Sequence, residues 1–229
     1  MHPIERLRYV ARSGWGGPAS LGAEAAYALA ELAEQEPAAL LTACRRLLER
    51  NPGCGPLWWV CARVLCAGDA WAEAAHCAQL LEDDPTEQLL EVELYGLRAV
   101  RHGGVGEVAS ADVVVVAADV IGPAGMVIDA GDCGLLEAAR AVGTDIWVSG
   151  GVGRVLPARL WQAMSVRLES PPRPSRTAAS SWFDPVASSA VVVDLQAVRK
   201  VAGPTGVHET PRSLSRPDCP EPPELVARW

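Results

Sequence analysis

Hydrophobic positions change their period once along this chain. From Leu21 to Leu81 they recur at the three-and-four spacing of helices; from Val113 onward they come as short runs bounded by glycine and proline. The first half therefore predicts helices. Pro3 opens one that buries Ile4, Leu7 and Val10 and stops at Gly14, and an alanine-rich second runs from about Leu21 to Gln35. A third covers Pro37 to Glu49 and breaks at Asn51-Pro52-Gly53. A fourth, Leu57 to Ala67, is apolar almost all round and should lie in the middle of the bundle. Asp69 to Leu81 is the fifth.

The second half reads as a sheet. Leu90 to Leu97 alternates loosely, as a strand would, and the stretch from Ala111 to Val152 organises the rest. Val113 to Val116 is an unbroken β-branched run of the kind buried on both faces of a parallel sheet. Gly122, Pro123 and Gly125 make a turn into Met126 to Ile128. Gly134 to Val142 is a helix with Gly143 as its stop, and Asp145 to Ser149 is the next strand. This order is a βαβ unit with Asp119 and the loop Gly150-Gly151-Val152-Gly153 at carboxyl ends of strands, the edge where open α/β sheets bind ligands. Pro157 opens a further helix, Ser170 to Ser181 reads as a proline-rich excursion, and Val191 to Leu195 as another buried strand. The tail from Pro204 is polar and proline-rich, with order expected only where Trp229 docks.

Composition narrows the functional classes. The 229 residues carry a net charge of −8, which with the absence of a basic stripe argues against nucleic acid. No apolar run reaches membrane-spanning length, and MHPIERLR lacks the apolar core of a signal peptide. The seven cysteines form no C-x-x-C pair. Cys44, Cys61, Cys66 and Cys77 lie in helical patterns and read as small buried hydrophobes in a reducing cytoplasm.

Three blocks resemble one superfamily, that of methylthioribose-1-phosphate isomerase, ribose-1,5-bisphosphate isomerase and the regulatory subunits of translation initiation factor 2B. Gly17-Pro18-Ala19-Ser20-Leu21-Gly22-Ala23-Glu24-Ala25-Ala26-Tyr27 is similar to its R-G-A-P-A-I-G-x-A-A-A-Y motif, with one inserted residue. Asn51 to Cys61 follows the frame of R-P-T-A-V-N-L-x-W-A-L. Ala117-Ala118-Asp119 through Gly125 to Asp132-Cys133 follows G-A-D-x-V-x-x-D-G-x-V-x-N-K-x-G-T without a gap. Phe183-Asp184-Pro185-Val186 is a weaker match to F-D-V-T-P. The resemblance implies an α/β fold: an N-terminal helical domain (1–84), then a shortened Rossmann-like, mostly parallel sheet domain (85–208), with 209–229 as a proline-rich tail. It also implies a homodimer.

The departures from that pattern bear on function. The arginine before Pro52 is Asn51, the asparagine after the turn is Pro56, and the N-K pair is Asp129-Ala130. An aspartate for an amide, with a lysine lost, repels a phosphate dianion. The catalytic-cysteine loop H-C-N-A-G and the S-R-P loop that the resemblance would supply are both missing. Asp119 remains as the acid of the motif, to be set against a turn-capping role. Cys133 opens a helix whose dipole could stabilise its thiolate, or it is a buried spacer. Gly150, Gly151, Gly153 and Arg154 are a candidate anion cradle, although no helix follows directly and the dinucleotide spacing is absent. Arg12 and Gly17, with Asp129 and Asp132, complete the candidate ligand contacts. Arg12 reads equally as a solvated helix end. The four histidines have no metal-ligand spacing, and neither metal nor cofactor is implied. The sequence reading is a cytoplasmic, degenerate member of this superfamily, without isomerase activity, that binds a small metabolite, a protein partner or its own copy. The alternative is an isomerase-like enzyme with a site rebuilt around Asp119.

Overall fold

A computed structural model describes residues 17–102, 104–169, 190–210, 214 and 217–227. The helix expected from Pro3, Arg12, the Ser170 to Ser181 excursion, the Phe183 to Val186 block and Trp229 lie outside them.

The helical half is built on α1 (Gly17–Gln35), α2 (Leu40–Arg50), α3 (Gly55–Cys66) and α4 (Ala70–Glu82). Alanines 23, 25, 26, 28 and 30 keep α1 thin on its buried face, so α4 and α3 pack close to it. Asp69 accepts the Ala72 amide and so caps α4 at its start. As its all-round apolar pattern predicts, α3 is central, with Leu57, Trp58, Val60, Cys61 and Ala62 fully buried. Cys44 and Cys77 are also buried, whereas Cys66 is exposed at the last turn of α3. Its place in the helical pattern did not separate the outer face of that turn from the core.

Leu90 to Leu97 is not a strand. Thr86–Glu93 forms a helix, α5, because the Asp84 carboxylate accepts both the Thr86 amide (3.0 Å) and its hydroxyl (2.5 Å), capping the first turn. Leu90 and Leu94, one helical turn apart, then pack together on one sheet face with Val113, Val115, Trp147 and Ala202.

The sheet contains β1 (Ala99–Arg101), β2 (Val113–Ile121), β3 (Met126–Asp129), β4 (Asp145–Ser149), β5 (Ala190–Val193), β6 (Val198–Gly203) and β7 (Gly206–Glu209). β1, β2, β4 and β6 run parallel, while β3, β5 and β7 are antiparallel additions. The long β2 serves two sets of neighbours in turn within this one sheet. Its first half pairs with β1 and β4, ending at Ala117 opposite Ser149; its second half bends through a bulge at Asp119 into a hairpin with β3. Asp119 therefore stands inside a strand rather than at its end, just past the carboxyl limit of the parallel ladder. On the face opposite α5, α6 (Cys133–Val142) lays Leu135, Leu136 and Ala139 against Val114, Val116 and Val148. Gly143, at φ +83°, ends that helix in the left-handed conformation expected of it.

Two further expectations change. Among the described residues the Val191 run is an edge strand with β3 as its paired neighbour, and Val192 is 47% exposed; continuous β-branching did not reveal how many neighbours the strand has. The tail is ordered well beyond Pro204. After β7 the chain returns to the helical half, where Asp218 accepts from Trp59 and Arg63 and Leu225 of α8 (Pro223–Val226) is fully buried. That Leu225 shares a hydrophobic cluster with α7 (Ala158–Leu168) and the helical bundle.

Candidate functional site

The turn before α3 meets the carboxyl edge of the parallel strands, and this junction gathers most of the candidate residues. Gly55 opens α3 so close to β2 that a Cβ there would lie 2.5 Å from the Asp119 carbonyl oxygen and 3.1 Å from the Arg154 Cα. The preceding Cys54 is buried, with its thiol 3.6 Å from the Pro18 carbonyl, so the start of α1 beside Gly17 abuts the same turn. Gly17 itself is exposed, with φ +82° and open space where a side chain would be.

Arg154 is delivered by the chain leaving the glycine loop. The Ile121 amide donates to the Arg154 carbonyl (2.7 Å), the Leu156 amide donates to the Ile121 carbonyl (2.8 Å), and Val155 bridges Ile121 as a short parallel ladder. The guanidinium then donates from Nη1 to the Ala118 carbonyl at 2.7 Å, while its buried Nε has no hydrogen-bond partner among the described residues.

Asp119 sits beside this guanidinium. Burial pushes its carboxyl pKa up, Arg154 pulls it down, and Asp129 and Asp132 push it up again. Burial likewise raises the Cys54 thiol to about 12; the Leu57 amide and Arg154 oppose that shift, and Asp119 adds to it. Asp119, Asp129, Asp132, Arg154 and Cys54 thus form one electrostatic neighbourhood. Asp129 accepts the Gly131 amide at 2.7 Å, and the resulting tight turn hands the chain to α6 with Asp132 buried at its N-cap. Cys133, the first residue of α6, is half-buried.

The glycine loop is filled from within the chain. Asp84 Oδ2 accepts the Val152 amide at 2.8 Å, and a Cβ on Gly151 would collide with the same carboxylate. Gly150 admits the Ile121 side chain, and Gly153, at φ +73°, lies against the Trp59 ring. Beside it, Ser149 donates to Glu87 (2.6 Å), whose other oxygen accepts from Arg101. Asp84 and Glu87 therefore supply anions where an incoming anion would have met backbone amides.

Three residues here escaped the sequence reading. Asp84 carried a usable sign, an acid followed by proline and threonine ahead of an apolar helix. Cys54 lay inside a matched block without catalytic precedent in it. His102, whose Nδ1 is 3.6 Å from Asp132 Oδ1, had no signal because its pairing depends on backbone conformation. Among the described residues no His/Cys/Asp/Glu group is arranged to hold a metal, and no helix is long and apolar enough to cross a membrane. A hollow of about 460 Å³ between α1 and α4 is lined by Glu24, Tyr27, Glu31 and Trp71, none of which belongs to this cluster.

With helical bundle, bulged β2 and carboxyl-edge junction in place, the match to solved structures covers nearly the whole chain. Translation initiation factor eIF-2B from Pyrococcus horikoshii OT3 superposes at TM-score 0.68 and 14% identity, covering 93% of this chain and 98% of that one. The chain has the fold of initiation factor 2B. The tetrameric beta2-delta2 complex of the same factor from C. thermophilum matches at TM-score 0.58 and 11% identity, over 90% of each chain. The 5-methylthioribose 1-phosphate isomerase of P. horikoshii OT3 matches at 0.52 and 12%, over 91% of this chain and 85% of that one. No family model matches the chain, and no curated protein matches it. The factor-2B-like fold is shared by a translation factor and an isomerase, so function has to be argued from the site.

Proposed function

We propose that this chain is a non-catalytic, factor-2B-like binding protein. Its ligand lies between Asp119, Arg154 and the Asp129-to-Asp132 turn, and is neutral or cationic rather than a phosphate. One observation carries the reading: three carboxylates share a neighbourhood with one guanidinium, itself engaged by the Ala118 carbonyl. At about 5 Å and an effective dielectric near 20, a pair of unit charges is worth roughly 3 kcal/mol before screening. The balance therefore disfavours a dianion and suits a sugar, nucleoside or amine. Gly150, Gly151 and Gly153 border this ligand, with Gly17 on the helical side. The protein acts in the cytoplasm as a homodimer assembled through its sheet-bearing half (85–208), and the tetrameric state of the C. thermophilum relative in fold supports assembly of this kind.

A second reading, an enzyme using Asp119 with Cys133, is favoured by the upward shift of the Asp119 pKa, since a buried carboxyl whose proton is held more tightly suits proton transfer. Coupled assays with 5-methylthioribose 1-phosphate and ribose 1,5-bisphosphate at high protein concentration separate the two. The binding reading expects no turnover, and turnover abolished by Asp119→Ala overturns it.

A further inference from the structure

We propose that the C-terminal segment 217–227 is a strap that positions Arg154. Seated on α3 and on the start of α7, it holds the chain leaving the glycine loop at both ends. Its release frees the guanidinium from its place beside Asp119. This device stands whether or not the binding reading holds.

Trp59 makes the hold at the loop end. Its indole N–H donates to the Asp218 carbonyl at 2.6 Å. The Arg63 guanidinium lies over the same ring, 4.9 Å from a centroid, and donates to Asp218 Oδ2 at 2.7 Å. The ring so fixed presses on Gly153, the residue before Arg154: a Cβ there would stand 3.1 Å from the Trp59 Cβ, Cγ and Cδ2. Packing this close leaves the loop no room to drift while the indole stays in place. The Asp218 side chain is 87% exposed, so water competes for this half of the seat.

Glu221 makes the hold at the far end. Pro157, at the N-cap of α7, has no side-chain acceptor, and Glu221 Oε1 accepts the Arg159 amide at 2.9 Å in its place. A carboxylate at a helix start is also favoured by the helix dipole. Leu225, fully buried where α8 packs on α7, anchors the strap. Between Gly153 and Arg159 lies the short ladder that delivers Arg154, in which Ile121 donates to the Arg154 carbonyl and Leu156 donates to the Ile121 carbonyl. So short a ladder frays readily unless its flanks are held, and the strap reaches both flanks.

Hydrogen exchange in the nitrogen-15-labelled full chain, followed by NMR, tests the strap. Leu225→Ala loosens its anchor, and Glu221→Ala removes one surface acceptor, a change mild enough to read should the first variant fold poorly. Each is expected to speed exchange of the Ile121 and Leu156 amides roughly five- to thirtyfold, the effect of one lost contact on a local opening. The buried Arg154 Nε–H should quicken with them, while the Gly143 amide, bonded to Ala139 at the end of α6, keeps its wild-type rate. Glu221→Gln, which retains an acceptor, should restore slow exchange. Wild-type rates at Ile121 and Leu156, with the strap's own Ala227 amide exchanging faster, would mean that the strap lifts without moving Arg154 and overturn the proposal. Acceleration shared equally by Gly143 would mean a general loss of stability and overturn it too.

Discussion

The carboxylate of Asp84 occupies the space that a side chain on Gly151 would need, and it accepts the neighbouring Val152 amide at 2.8 Å. One aspartate thereby caps α5 and closes the glycine loop after β4. Asp84→Ala leaves the Thr86 and Val152 donors unpaired and is expected to destabilise the protein by about 1–3 kcal/mol. Gly151→Ala should also destabilise, because the carboxylate it strikes is held by three donors. In the double variant the clash disappears, so the two costs should fall short of additivity by roughly 0.5–3 kcal/mol. Urea unfolding of the four proteins measures this; strict additivity would mean that Asp84 and Gly151 do not meet.

Asp119 gives a prediction with a definite pH sign. Its folded pKa lies above the ordinary aspartate value because burial outweighs the help of Arg154. The folded state therefore binds more protons than the unfolded state between those two values, and stability falls as pH rises through that window. Below the unfolded value the penalty vanishes. Asp119→Asn should accordingly raise the melting temperature at neutral pH and gain progressively less as pH falls toward 4. Calorimetry across that range that finds the largest gain at acidic pH contradicts the sign.

Gly55 tests the junction itself. An alanine Cβ would meet only backbone, 2.5 Å from the Asp119 carbonyl and 3.2 Å from the Gly153 carbonyl, and neither can swing away as a side chain could. Overpacking of this kind costs about 1–3 kcal/mol. Gly55→Ala should lower stability by that order in chemical denaturation, whereas Gly106→Ala, in open space, should be near neutral. Equal effects would mean that α3 does not press on β2.

Assembly is open to a direct reading. The exposed Val92, Tyr95 and Leu97, and the edge strand β5, leave apolar surface on the sheet-bearing half. Light scattering at micromolar concentration is expected to give twice the 24.2 kDa chain mass. A strictly monomeric mass would remove the homodimer from the account.

How far the chain could be read from its letters depended on which interactions were local. The switch of period, the all-round apolar α3, the Gly143 stop and the βαβ unit are set by neighbours a few residues apart, and they were legible. β1, β6 and β7 were not: β1 is three residues long, and Arg199 and Lys200 interrupt the apolar pattern of β6. Leu90 to Leu97 misled because its helix is decided by the Asp84 cap, stronger than the weak alternation that follows. At the site, Asp119, Asp129, Asp132 and Arg154 were named from sequence, and the structure brings them together. Asp84, Cys54 and His102 join them through long-range packing or a left-handed backbone turn, neither of which leaves a periodic trace.

The central claim is that carboxylates, rather than phosphate-holding groups, decide what this fold accepts. Isothermal titration of the wild-type chain with D-ribose and with D-ribose 5-phosphate, under identical buffer and salt, tests it most directly. The account predicts measurable binding of D-ribose and weaker binding of its phosphate, with the gap narrowing in Asp129→Asn. Tighter binding of the phosphate, lost in Arg154→Ala, would contradict it.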